Sequence, residues 1–185
     1  MVETTLTDPT LIDTTLTNAA SASAVDSTRT DIRRLDPAAA AAHLRAAAEA
    51  GRGFLGLDPV TQNDALLAAE LARMQAQVFR AGDMLLGSVP NPDQPRQAFI
   101  AATSADPEPL RILLGFLDTR QRCNSFVAMV PDGAACAAAF ASCGFRQVGV
   151  LRDHRYQSGA YQDVIVYHAE SGFFASADSE VPCSA

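Results

Sequence analysis

The run Ser125 to Val130, Ser-Phe-Val-Ala-Met-Val, is the most constraining segment of this 185-residue chain, because it is short, almost continuously apolar and stopped by Pro131-Asp132. A run of that kind has the pattern of a strand covered on both faces, which implies a sheet with helices packed against it. The neighbouring segments agree. Gln97 to Thr103 is a second apolar segment of strand length, following the loop Pro90 to Pro95, and is the candidate central strand. Between the two, Asp106 to Gln121 places Leu110, Leu113, Leu114 and Leu117 on one helical face, with Pro107 near the first turn. After the apolar run, Ala134 to Ser142 predicts a helix closed by Gly144. Gln147 to Arg155 and Tyr161 to His168 then predict a hairpin turning at Ser158-Gly159. Strand, helix, strand, helix and hairpin together make a mixed α/β sheet.

Upstream, Ile32 to Leu35 predicts a short strand. Asp36-Pro37 then sets a capping side chain and a first-turn proline before the alanine run Ala38 to Ala50, which Gly51 and Gly53 break. Asp58-Pro59 repeats the start signal ahead of Val60 to Arg80, expected to be one amphipathic helix ending at Gly82, with Leu66, Leu67, Leu71, Met74 and Val78 on its packed face. Met84 to Leu86 predicts another strand. Residues 1–28 are rich in Thr, Ser, Ala and Asp without aromatic residues, so a loosely packed arm is expected there. Residues 175–185 have the character of a tail, which leaves the folded domain at 29–174.

The chain is 48% hydrophobic, enough for one ordinary core, yet has no run approaching the ~20 apolar residues of a membrane span. Its first residues carry acids where a secretory signal carries bases, so a cytoplasmic location is expected. The net charge of -7 arises from 21 acids and 14 bases. All of the bases are arginine, a bias that GC-rich coding or protection from lysine modification would each produce. An acidic chain without a basic stripe is not expected to bind nucleic acid or an anionic membrane. Small molecules or protein partners remain, with a homodimer left open. Cys123, Cys136, Cys143 and Cys183 lack CxxC spacing, and His43, His154 and His168 stand far apart, so neither a disulfide nor a metal site is expected.

The segment Val127 to Arg152, with Gly144-Phe145 closing a helix into a strand, resembles the GNAT acetyltransferases, in particular the phosphinothricin and amino-acid N-acetyltransferase branch. The continuation Leu151 to Val164, with its Asp163-Val164 step into the last strand, is similar to the same branch. The resemblance implies a GNAT-like fold, a mixed and mostly antiparallel central sheet flanked by helices, and N-acyl transfer from acetyl-CoA or another acyl thioester to a small amine or amino-acid-like acceptor, without a metal. It would place donor contacts at Ala102, Thr103, Ser104, Gly133 and Phe140, where strand N–H groups near Ala102 to Ser104 polarise the thioester carbonyl. The hairpin residues Arg152, Asp153, His154, Tyr156, Tyr161 and Asp163 would line the acceptor pocket. Among them His154, with Asp153 and Tyr156, is the catalytic candidate, and Arg152, Tyr161 and Asp163 are the substrate-binding ones. A solvated hairpin with cross-strand polar pairs is the alternative reading of that group.

The chain also departs from the family pattern. An Arg/Gln-x-x-Gly-x-Gly turn normally holds the CoA pyrophosphate at a helix amino terminus, whereas Ser104 to Glu108 offers no glycine, a proline, and two acids where the ligand is anionic. Asp106 is expected to cap its own helix instead. Phe140 stands where many members use a tyrosine to protonate the departing thiolate, which phenylalanine cannot do, and Gly133 stands where asparagine is common. Three functions stay open: an acyltransferase with atypical donor binding, different chemistry in the same cleft, and a binding or regulatory protein that has lost acetyl-CoA chemistry.

Overall fold

The computed structural model describes residues 31–57, 63–157 and 159–171. The expected arm, the Asp58-Pro59 start signal, Ser158, Cys183 and the tail lie outside the described residues. The first strand, β1 (Arg33–Leu35), leads into helix α1 (Pro37–Ala46), where the Asp36 carboxylate accepts the N–H groups of Ala38 at 3.0 Å and Ala39 at 2.9 Å. Donors that would otherwise lack a helical partner are thereby satisfied. The helix ends before the glycines that were expected to stop it. The chain then turns through Gly53 into a single 3-10 turn, Phe54–Gly56.

Helix α2 (Asp64–Arg73) is capped by Asn63, which accepts the Leu66 N–H at 2.9 Å. The single long helix expected through Arg80 is not formed. Gln75 adopts φ 55°, and Gln77–Ala81 is strand β2, joined by a tight turn at Gly82 to β3 (Met84–Pro90). Val78 continues the helical spacing of the leucines only by coincidence: it is buried in a strand, while Leu66, the first residue of that stripe, is exposed. The fully buried residues of α2 are Leu67 and Leu71, with Ala68 partly buried beside them.

Next come β4 (Gln97–Ala102), α3 (Pro107–Gln121), β5 (Ser125–Pro131), α4 (Ala137–Ser142), β6 (Arg146–Gln157) and β7 (Ala160–Glu170). They form one seven-stranded sheet in the order β1-β2-β3-β4-β5-β7-β6. Every neighbouring pair is antiparallel except β4 and β5. The predicted mixed, mostly antiparallel sheet flanked by helices is therefore what the chain builds. One face packs Leu110, Leu113, Leu114 and Leu117 of α3 and Phe140 of α4 against Ile100, Phe126 and Ala128. The other packs Leu44, Phe54, Leu67 and Leu71 against Val78 and Leu85.

The strand expected to be covered on both faces is covered fully on one. Phe126, Ala128 and Val130 are buried, but Met129 on the opposite face keeps 36% of its surface exposed. The second core draws its strand residues from β1, β2, β3 and β4, so the β5 side of that face opens onto a cleft. No helix among the described residues is long and apolar enough to cross a membrane.

Candidate functional site

Strands β4 and β5 run parallel from Gln97↔Ser125 to Ile100↔Ala128, and their pairing ends there. Both strands nevertheless continue. β4 stays paired with β3 as far as Leu86↔Ala102, and β5 with β7 as far as Pro131↔Val164. The two therefore diverge at their carboxyl ends and leave a wedge in the middle of the sheet. Backbone direction alternates along a strand. The Thr103 N–H donates to the Leu85 carbonyl at 3.1 Å, toward β3, so the Ala102 N–H and C=O turn toward β5, beyond the last paired position.

A cavity of about 370 Å³ fills this wedge and passes through the sheet. From one face Gly133, Cys136 and Phe140 line it, and from the other Glu49, Arg52, Gly53 and Leu55, with Gln157 and Gln162 of the hairpin at its side. A second cavity of about 450 Å³ lies beside it on the α2 face, walled by Met74, Val89, Phe99 and others. Leu55, Ile100, Ala101 and Met129 line both.

The wall between the cavities is held under constraint. Leu55 sits at φ 53°, ψ 25° inside the 3-10 turn, the left-handed region that costs a branched side chain about 1–2 kcal/mol. Two contacts hold this segment in place. Gly53, at φ 74°, lies against the Arg155 guanidinium, which donates to the Arg52 carbonyl across 103 residues of sequence. On the other side, Phe54 and Leu55 press on Gly87 of β3, where an added Cβ would come within 2.6 Å of a Leu55 methyl and 2.7 Å of the Phe54 ring. Gly87→Ala is therefore expected to lower stability by about 1–3 kcal/mol, the cost of overpacking a filled site, and chemical denaturation would measure it. A loss below ~0.5 kcal/mol would mean the 3-10 turn yields freely.

Three charged groups face the through-sheet cavity. Glu49 has a largely buried side chain and accepts Arg52 Nη1 at 2.7 Å, while Asp132 stands at the exposed rim. Burial pushes the Cys136 thiol up to about 11, with the Glu49 carboxylate adding to the rise. Cys136 is therefore a protonated thiol at neutral pH rather than a nucleophile. Among the described residues there is no group of His, Cys, Asp and Glu suited to a metal.

Of the five residues expected at the donor, Ala102, Thr103, Gly133 and Phe140 line the through-sheet cavity and Ser104 lines neither cavity. Thr103 is engaged elsewhere, its hydroxyl accepting the Leu85 N–H at 2.9 Å. Ser104 Oγ accepts the Asp106 N–H at 3.2 Å, and the Asp106 carboxylate accepts the Glu108 N–H at 3.0 Å, as its predicted capping role requires. Pro107 and Pro109, at the first and third positions of α3, have no N–H to give. Phe140 is buried edge-to-face on Phe145, with centroids 5.0 Å apart, and stacks on Tyr167 at 6.3 Å.

The hairpin candidates come together, but away from both cavities. Arg152 Nη1 donates to Asp163 at 2.5 Å and the Asp153 N–H donates to the same carboxylate at 2.9 Å. Tyr156 and Tyr161 stack edge-to-face at 5.1 Å while remaining 58% and 65% exposed, and His154 is exposed beside them. A break in register between Leu151 and Arg155 turns this group outward and brings Arg155, Gln157 and Gln162 to the cleft side instead. His168 lies at the closed end of the wedge, its Nε2 3.0 Å from Ser125 Oγ, which also accepts Gln97 Nε2 at 2.8 Å.

The Asp153 N–H and then the Arg152 guanidinium hold the Asp163 carboxyl below its ordinary 3.8. Because its pKa is lower when folded, Asp163 contributes stability above the unfolded value, and that contribution is lost as pH falls through the folded value. Asp163→Asn should therefore be slightly less stable than wild type at neutral pH, with the two melting curves converging below about pH 4. Parallel curves across that range would contradict the assignment.

No protein-family model matches this sequence, and no curated protein matches it. Solved structures share its fold. Spermidine N-acetyltransferase SpeG of Vibrio cholerae, in complex with CoA and spermine, is similar over 80% of this chain and 98% of its own, at 14% identity and TM-score 0.59. RimJ of Mycobacterium smegmatis, in complex with CoA-disulfide, is similar over 76% of this chain and 81% of its own, at 17% identity and TM-score 0.54. A probable acetyltransferase matches over 76% and 92%, at 16% identity and TM-score 0.55. The sheet is thus of the GNAT type, as the segment around Gly144-Phe145 led one to expect.

Proposed function

We propose that this chain is an N-acyltransferase that moves an acyl group from a thioester to an amine within the wedge between β4 and β5. The observation that carries this reading is the end of parallel pairing at Ile100↔Ala128 while both strands continue. It leaves a cavity lined from both faces of the sheet, room for a donor and an acceptor to meet from opposite sides. A fold shared with acetyltransferases supports the same reading.

The chemistry follows from the lining. The amine nitrogen attacks the thioester carbonyl carbon, the N–C bond forms, the C–S bond breaks, and the sulfur leaves as a thiolate. The Ala102 N–H, directed into the wedge, stabilises the oxyanion that develops on the carbonyl oxygen. Glu49 pairs with the incoming ammonium and accepts one proton, directly or through a water, to free the amine for attack, and the second proton that nitrogen loses as the amide forms passes to solvent. The departing thiolate takes its proton from solvent, since the Phe140 ring has none to donate. Cys136 stays protonated and forms no acyl intermediate, so the transfer is direct. In this reading Asp153, His154 and Tyr156, and the partners Arg152, Tyr161 and Asp163, shape the outer hairpin and leave the proton transfer to Glu49.

The donor is held by its acyl and thiol ends. The first turn of α3 contains two prolines, its capped N–H groups are occupied, and Asp106 and Glu108 bring negative charge, so it does not fit a pyrophosphate. A carrier-bound or otherwise unusual thioester matches this better than a nucleotide-bearing one. The same closed helix end also favours a second reading, a binding or regulatory protein on a transferase fold. Incubating the full chain with S-acetyl-N-acetylcysteamine and pooled amines, with thiol release and N-acetyl products followed by mass spectrometry, decides between them. Product dependent on protein supports transfer, and its absence with every thioester and amine supports the binding role.

A further inference from the structure

The second cavity, about 450 Å³, narrows down what the acceptor can be, given the transferase reading on which this inference rests. Its volume is that of a small-molecule site. Val89, Phe99 and Met74 provide an apolar surface, and Arg73 is the one charged residue among its described walls. That guanidinium is already forked onto Glu70 at 2.6 and 2.9 Å. No carboxylate lines this cavity among the described residues. The adjoining cavity does have carboxylates, Glu49, which is paired to Arg52, and Asp132, so the two spaces divide into a polar part with two acids and one base and an apolar part, joined at Leu55 and Met129.

We propose that the acceptor is an apolar monoamine, its nitrogen at Glu49 in the wedge and its hydrocarbon part in the adjoining cavity. A polyamine placed the same way would bury a second ammonium against apolar walls without a counter-ion and facing Arg73. An unpaired charge in such surroundings loses far more hydration than it regains.

The test is binding of n-hexylamine, phenethylamine and spermidine to the full chain without any donor, read by calorimetry. Wild type should bind the two apolar amines at least about tenfold more tightly than spermidine. Met129→Glu and Gln75→Glu each place a carboxylate at the apolar cavity, the second on an exposed residue and without a change of side-chain shape. Each should weaken hexylamine and strengthen spermidine. Leu151→Glu, which by strand register lies on the same sheet face as Met129 but outside both cavities, should leave the order unchanged. Wild-type binding of spermidine as tight as that of hexylamine, binding of none of the three, or indifference to Met129→Glu and Gln75→Glu would each overturn the proposal. Binding is read without turnover, so hexylamine held tightly by a protein that acylates nothing would sink the transferase reading and leave an apolar-amine binding site rather than an acceptor site.

Discussion

Glu49→Gln is expected to lower amine acylation by about 10²- to 10⁴-fold, the range over which a positioned base acts, while the protein stays folded. Glutamine keeps the shape of the side chain and an oxygen that can still accept Arg52, so the turn from α1 to the 3-10 segment has no reason to move. What disappears is the buried negative charge beside the wedge, leaving Asp132 at the exposed rim. Without it the ammonium lacks its counter-charge, and the proton that must leave nitrogen before or during attack has no acceptor. The effect should fall on kcat/KM near neutral pH and shrink as pH rises toward the amine's own pKa, where free base arrives unaided. Melting temperature, read in parallel, separates this from unfolding. An unchanged pH profile, or a loss under tenfold, would remove Glu49 from the chemistry.

Glu49 is also the kind of residue that sequence reading overlooks. It follows an alanine run and carries no motif. It reaches the site only because α1 stops at Ala46 and the chain turns back through Gly53. Arg155, which secures that turn, is 103 positions away, and local periodicity has no access to so distant a contact. The pair Gly51 and Gly53 around Arg52 was the available signal, since Gly53 supplies the φ of 74° that the turn needs. Leu110 to Leu117, the β5 run and the β6–β7 hairpin were legible as elements because each is long and strongly patterned, although the exposure of Met129 on β5 was not. Strand β2 was not, because Met74 and Val78 happen to continue the helical spacing of α2 into a strand.

The donor side shows the same division. Ala102, Gly133 and Phe140, which the family resemblance implied at the donor, line the cavity in the wedge. The hairpin group, expected at an acceptor pocket, lies away from both cavities. A break in register between Leu151 and Arg155 decides which hairpin side chains face the cleft, and such a bulge has no strong local signature. Pro109 completes the closure of the α3 terminus, although Pro107 alone was evident as a missing donor.

Closure of that terminus leads to the second large effect: acetyl-CoA at millimolar concentration should leave the melting temperature nearly unchanged, and S-acetyl-N-acetylcysteamine should serve as donor at least as well. A ligand present at 100 times its dissociation constant adds about 2.7 kcal/mol to stability, which in a domain of this size appears as a rise of roughly 5–10 °C. Such a rise needs the pyrophosphate to find N–H donors and positive charge, whereas α3 begins with Asp106 bonded to Glu108, a proline on either side of Glu108, and Arg111 paired to Glu108 at 2.5 Å. The nucleotide half of CoA thus gains nothing there, and the short thioester has nothing to lose by omitting it. Asp106→Ser with Glu108→Gln removes both acids while keeping a cap, and should improve acetyl-CoA binding more than it changes use of the short thioester. If wild type already melts several degrees higher with acetyl-CoA, the pyrophosphate is held elsewhere on the chain, and the donor is a nucleotide thioester after all.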